Sequence, residues 1–91
     1  MNYEALLPSL KVDLSISRAT VYDDRLLAIL KSSGETITDM GITLDPESLR
    51  DQQLVIMHAA WTWRKRDSME AMPRMLQYEL HSRLAMGKMH G

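Results

Sequence analysis

Cysteine is absent from this sequence, which removes disulfides, iron–sulfur clusters, Cys-bearing zinc sites and thiol nucleophiles together. Glycine and proline are scarce, at 4 and 3 residues, so neither a fibrous nor a loop-dominated chain fits. No apolar run approaches the roughly 20 residues of a membrane-spanning helix. The opening Met1, Asn2, Tyr3 and Glu4 lack the basic start and apolar stretch of a secretory signal, so an intracellular protein without a membrane span is expected. Charge of one sign is also missing. Eleven Lys and Arg against twelve Asp and Glu leave a net charge of −1, without the basic surplus of a dedicated nucleic-acid binder.

What is present suits one folded domain over residues 1–91. With 45% hydrophobic and 25% charged residues the chain has the composition of a globular protein. Its mass sets a folded surface of roughly 5,400 Å² against about 15,000 Å² unfolded, enough burial for a single core. Charge is uneven along the chain. Residues 1–47 hold eight acids and four bases, net −4, whereas residues 48–91 hold four acids and seven bases, net +3. Placed on different faces, the two halves would suit head-to-tail association of identical subunits.

Apolar spacing is helical throughout and predicts an all-α bundle of about four helices, the third central and longest. In the first, Leu6, Leu7, Leu10 and Leu14 share a face, and Pro8 is expected to begin the helix or to kink it. Thr20 is expected to cap a second helix that runs to about Met40, with Gly34 marking a bend or a close contact and Gly41 a left-handed end. Asp45, Pro46 and Glu47 are expected to open the third, over residues 46–66, whose centre is apolar nearly all round. A polar linker over 67–72 precedes a fourth helix opened by Pro73 and stopped at Gly87, with a short mobile tail over 87–91.

Chemistry-bearing patterns are few. His58, His81 and His90 have no metal-ligand spacing, so neither a metal nor a cofactor is expected. His58 lies among apolar residues and reads as a neutral, hydrogen-bonded core histidine. Phosphate loops, nucleophile elbows and Ser/His/Asp groupings are missing, and no enzyme is expected. Arg64, Lys65 and Arg66 suit either the negative end of a helix dipole or DNA phosphates. Eight methionines, five of them at Met69, Met72, Met75, Met86 and Met89, suit a surface that adapts to a partner, although core filling also accounts for Met57 and Met75. Trp61 and Trp63 point about 200° apart on a helix. One of them is expected to anchor an interface.

The run LVIMHAAWTWRKRDSMEAMPRMLQYELHSRL over residues 54–84 resembles the C-terminal half of the small head-to-tail connector proteins of tailed bacteriophages. Its order carries the resemblance: an apolar, Ala-containing helix ends in Trp63 and the Arg64, Lys65, Arg66 cluster. A polar linker and a Met-Pro-Arg-Met-Leu step over 72–76 follow. Upstream, LKVDLSIS over 10–17, the Asp-Asp-Arg-Leu-Leu segment over 23–27 and the Gly41-Ile42 step are also similar, so the resemblance covers about residues 6–84. Ser32, Ser33 and Gly34 depart from the Ala-rich packing of that family.

The resemblance implies a helical head-completion adaptor, assembled in the bacterial host cytoplasm and resident in the virion neck. It would dock beneath the portal protein as a ring of its own copies, with an expected twelvefold symmetry. There it would extend the channel for packaged DNA, touching it without sequence preference, and would give a tail-side connector or tail completion protein its platform. Within that frame Leu30, Trp61, Trp63, Met72 and Met75 are expected at interfaces, and Arg64, Lys65 and Arg66 against acidic groups of a neighbour or the portal. Arg74 and Arg83 are the expected channel-facing residues. The alternative is a small helical DNA-binding regulator or packaging accessory that binds duplex through residues 64–66.

Overall fold

Asn2 starts the first helix in the computed structural model, which describes residues 1–90 apart from the side chains of Asp67 and residues 87–90. The Asn2 Oδ1 accepts from the Ala5 amide at 3.3 Å, and α1 runs Tyr3–Asp13. Pro8 therefore lies inside the helix rather than at its start. It lacks the N–H that would reach the Glu4 carbonyl, a defect of about 3 kcal/mol or more in a helix interior. Burial of Leu6, Leu10 and the stem of Lys11 on the inner face of α1 supplies the compensating tertiary packing.

The second helix, α2, spans Asp23–Asp39 and starts later than Thr20 would place it. Thr20 instead offers its backbone carbonyl to the Asp23 amide at 3.1 Å, and Tyr22 holds the N-cap position without a side-chain hydrogen bond. A packing contact sets this start: the Tyr22 ring meets Trp63 edge-on with centroids 5.2 Å apart. Asp23 and Asp24 fill the first turn, where the helix dipole favours carboxylates. Gly41 ends the segment at φ +104°, as its position predicts. Gly34 marks a close contact, because a Cβ there would overlap the Tyr3 hydroxyl.

The third helix, α3, runs Leu49–Ser68 and is capped by Ser48, whose Oγ accepts from the Asp51 amide at 3.2 Å. Asp45 and Pro46 form the turn before it rather than its first residues. The Asp45 carboxylate accepts from the Glu47 amide at 2.9 Å and its carbonyl from the Ser48 amide at 3.0 Å. Local hydrogen bonding thus competes successfully with helix propagation. Met69, left-handed at φ 52°, closes α3. The fourth helix, α4, follows Pro73 and runs Arg74–His90. It passes through Gly87, so the stop expected there is corrected: a glycine lowers helix propensity by about 1 kcal/mol, and it ends a helix when it turns left-handed. The last residue of the expected tail, Gly91, lies outside the described residues.

At 20 residues α3 is the longest helix, and it touches all three others. Among the described residues α1, α2 and α3 pack mutually, whereas α4 packs on no helix but α3. Leu10, Leu26, Leu30, Ile37 and Leu54 are fully buried, and Leu76 and Leu80 of α4 close the core from α3's far side. Among the described residues there is no strand.

Polar contacts also bind the layers. Lys11 Nζ reaches Asp23 Oδ1 at 2.8 Å across α1 and α2. Arg83 on α4 pairs with the buried carboxylate of Asp51, which also accepts from the Asp45 amide at 2.7 Å. His58 Nδ1 and Ser33 Oγ, both buried, are hydrogen-bonded at 2.8 Å between α3 and α2. The serine that departs from the connector pattern is thus the partner of the core histidine, and the adjacent Gly34 makes room for Tyr3.

Burial, helped by the nearby charge of Lys65, pushes the His58 imidazole below its ordinary range. The unfolded chain therefore takes up this proton first, and stability present above about pH 6.5 is lost as pH falls through the folded value. Thermal melting of the wild type should show a decline beginning near pH 6.5, and a His58→Gln variant should have a flatter profile in that window. Equal slopes in the two proteins would assign the decline elsewhere.

Candidate interaction groove

Among the described residues α4 packs on no helix but α3, and the face of α3 between α1 and α4 is only partly covered, with Met57 half-buried and Ala60 4% exposed. Gln53, Met57, Ala60 and Arg64 fall on that face at helical spacing, and each lines one of three adjoining clefts. The central cleft, of about 330 Å³, has Met57, Ala60, Pro73, Met75 and Leu76 for its apolar lining. Its charges are Arg64, Arg74 and Asp13. On the α1 side it shares Asp13 with a cleft at Pro8 and Val12, and on the α4 side Met75 with one that reaches Tyr78.

Exposure agrees with this geometry. Met75 is 77% exposed and Tyr78 73% exposed beside the groove, far from the burial that core filling requires. The whole chain presents 6159 Å², more than the roughly 5,400 Å² of a compact chain of its mass. Its extents of 43 × 29 × 18 Å explain the excess, since a flat body has more surface than a sphere. A thioether-rich concave surface flanked by guanidinium groups suits an apolar segment that carries carboxylates.

The residues singled out in the sequence sort into three places. Met75, Arg64 and Arg74 meet in the groove. Arg64 is held there by donating from Nη2 to the Asp13 carbonyl at 3.2 Å. Trp61, Trp63 and Met72 are half-buried against the core. The indole N–H of Trp61 donates to the Glu70 carbonyl at 2.9 Å, and Lys65 Nζ sits 4.1 Å from its ring centroid. Trp63 packs on Tyr22 with the Arg66 guanidinium 3.7 Å from its ring centroid. Both tryptophans thus have intramolecular cover on opposite sides of α3, which a small chain achieves by folding its own linker and cations over them.

Leu30 and Arg83 need correction. Leu30 is 0% exposed and offers a neighbour no surface. Arg83 turns inward to Asp51 with 14% of its side chain exposed, so its charge is spent inside the chain rather than on a channel wall. Ala60 and Val12 are groove residues that sequence reading passed over, whereas Met57, expected as core filling, packs partly against the core and lines the groove as well. The signal for Met57 and Ala60 was available, since positions 53, 57, 60 and 64 repeat on one helical face, but an all-round apolar helix does not say which face lacks a partner. Of the clustered methionines Met69 and Met86 are also exposed, and the side chain of Met89 lies outside the described residues.

Among the described residues no group of His, Asp and Glu is placed to hold a metal ion, and no helix is long and apolar enough to cross a membrane. The chain matches no protein-family model, no curated protein and no solved structure.

Proposed function

We propose that this chain is a non-enzymatic structural protein of a tailed-bacteriophage neck, which assembles as a ring beneath the portal, closes the DNA-filled head and presents a platform to the tail. The observation that carries the reading is the uncovered groove. A chain that leaves an apolar, arginine-flanked cleft between its central and last helices, with Met75 exposed at its edge, is built to complete its packing with another protein surface. The motif order over residues 6–84 supplies the class of assembly. Of the basic cluster, Arg64 lies in the groove, while Lys65 and Arg66 lie over tryptophan rings. That arrangement favours a protein partner over a phosphate backbone. Packaged DNA would pass the ring without sequence-specific contacts.

Co-sedimentation with the portal ring encoded in the same genome, at physiological salt, tests this reading. Saturable binding near one chain per portal subunit is the expected result. Absence of portal binding together with salt-sensitive retention of duplex DNA would replace it with the DNA-binding regulator or packaging accessory.

A further inference from the structure

The groove has a counterpart on the same molecule. The eleven residues 39–49, between the end of α2 and the start of α3, carry Asp39, Asp45 and Glu47 and no Lys or Arg. All three acids are exposed, and two large apolar side chains stand out beside them, Met40 at 41% and Leu49 at 77% exposure. The segment is held firm rather than loose. Asp45 is bonded through its amide to the Asp51 carboxylate, and Ile42 is buried. It lies at the N-terminal end of α3, whereas Arg64 and Arg74 lie toward the opposite end of a helix about 30 Å long. One end thus presents apolar side chains among carboxylates, and the groove presents thioethers between two guanidinium groups, with the single carboxylate of Asp13 on its α1 side.

We infer that the occupant of the groove is a second copy of this chain, whose 39–49 segment docks between α1 and α4 so that Leu49 meets Met75 and Glu47 meets Arg74. This rests on the ring proposed above and names the surfaces that join one subunit to the next. The two surfaces differ, so the contact is heterologous. An open series keeps a free groove at one end and a free segment at the other, and it ends only when rotation closes it into a ring. Charge complementarity sets register and excludes segment-to-segment pairing, where carboxylates would face carboxylates.

The absence of native cysteine makes the test direct. Leu49→Cys chains bearing a size tag are mixed with untagged Met75→Cys chains and oxidised, first alone at high concentration and then on the portal ring. A disulfide between the two variants, exceeding either same-residue product, is expected in at least the portal-bound sample. Adding Arg74→Glu to the Met75→Cys chain should lower the yield about tenfold, and Glu47→Arg in the Leu49→Cys chain should restore it. Portal binding with stoichiometric rings but no 49–75 disulfide would overturn these surfaces while leaving the ring intact. A dominant 75–75 product would do the same by revealing a two-fold contact. Neither portal binding nor a 49–75 disulfide would overturn both readings.

Discussion

Replacing Asp51 by Ala should destabilise the chain by about 3–5 kcal/mol, the cost of leaving one member of a buried ion pair without its partner. For a domain of this size that loss corresponds to a fall in Tm of at least about 12 °C. Asp51 is 3% exposed, and its carboxylate serves two groups, the Arg83 guanidinium on α4 and the Asp45 amide ahead of α3. Burial alone pushes this carboxyl up, but the Arg83 hydrogen bond, the Asp45 amide and the charges of Arg83 and Arg50 overcome it and hold the group below its ordinary range. The stability it contributes is present above the unfolded pKa near 3.9 and is lost as pH falls through the folded value. This window lies well below that of His58. Urea unfolding of Asp51→Ala beside the Asp51→Ala/Arg83→Met double variant isolates the cause. The double variant should recover much of the loss, because it removes the orphaned charge, and equal losses would place the defect in packing instead. The outcome also bears on assembly, since α4 is fastened to α3 here and by the Arg50–Glu79 pair at 2.6 Å. Loosening α4 moves one wall of the groove.

Leu30→Ala should cost the isolated chain about 2–5 kcal/mol, comparable to the whole stability of a small domain. Leu30 is fully buried in the hydrophobic core, where truncation leaves a cavity. Met75→Ala, at an exposed position, should stay within about ±0.5 kcal/mol of wild type. The pair separates folding from assembly: denaturant midpoints report Leu30, and portal co-sedimentation reports Met75. A Leu30→Ala chain that melts like wild type yet fails to assemble would return Leu30 to an interface and refute its place in the core.

Several features were legible from residue order because local chemistry decides them. Three- and four-residue apolar spacing located all four helices, Gly41 ended α2 in the left-handed conformation, and the apolar surroundings of His58 marked a buried, hydrogen-bonded imidazole. At Pro8 and Thr20 a distant contact outweighed a local signal. Pro8 is a strong start residue, but inner-face burial in α1 carries the helix back to Asn2. Thr20 is a good cap, yet the Tyr22 contact with Trp63 decides where α2 begins.

What the amino-acid order determined by itself was the class of fold, the absence of cysteine chemistry and the excess of apolar surface on the third helix. Only the tertiary structure decided what covers each face of that helix. Helical periodicity ranks the faces of one helix, but a face is covered or left open according to which other helices reach it. Here, among the described residues, α4 reaches α3 without touching α1, which leaves the groove at Met57 and Met75. It also turns Arg83 inward to a carboxylate 32 residues away in the chain, because a buried charge takes its partner from whatever the fold brings near.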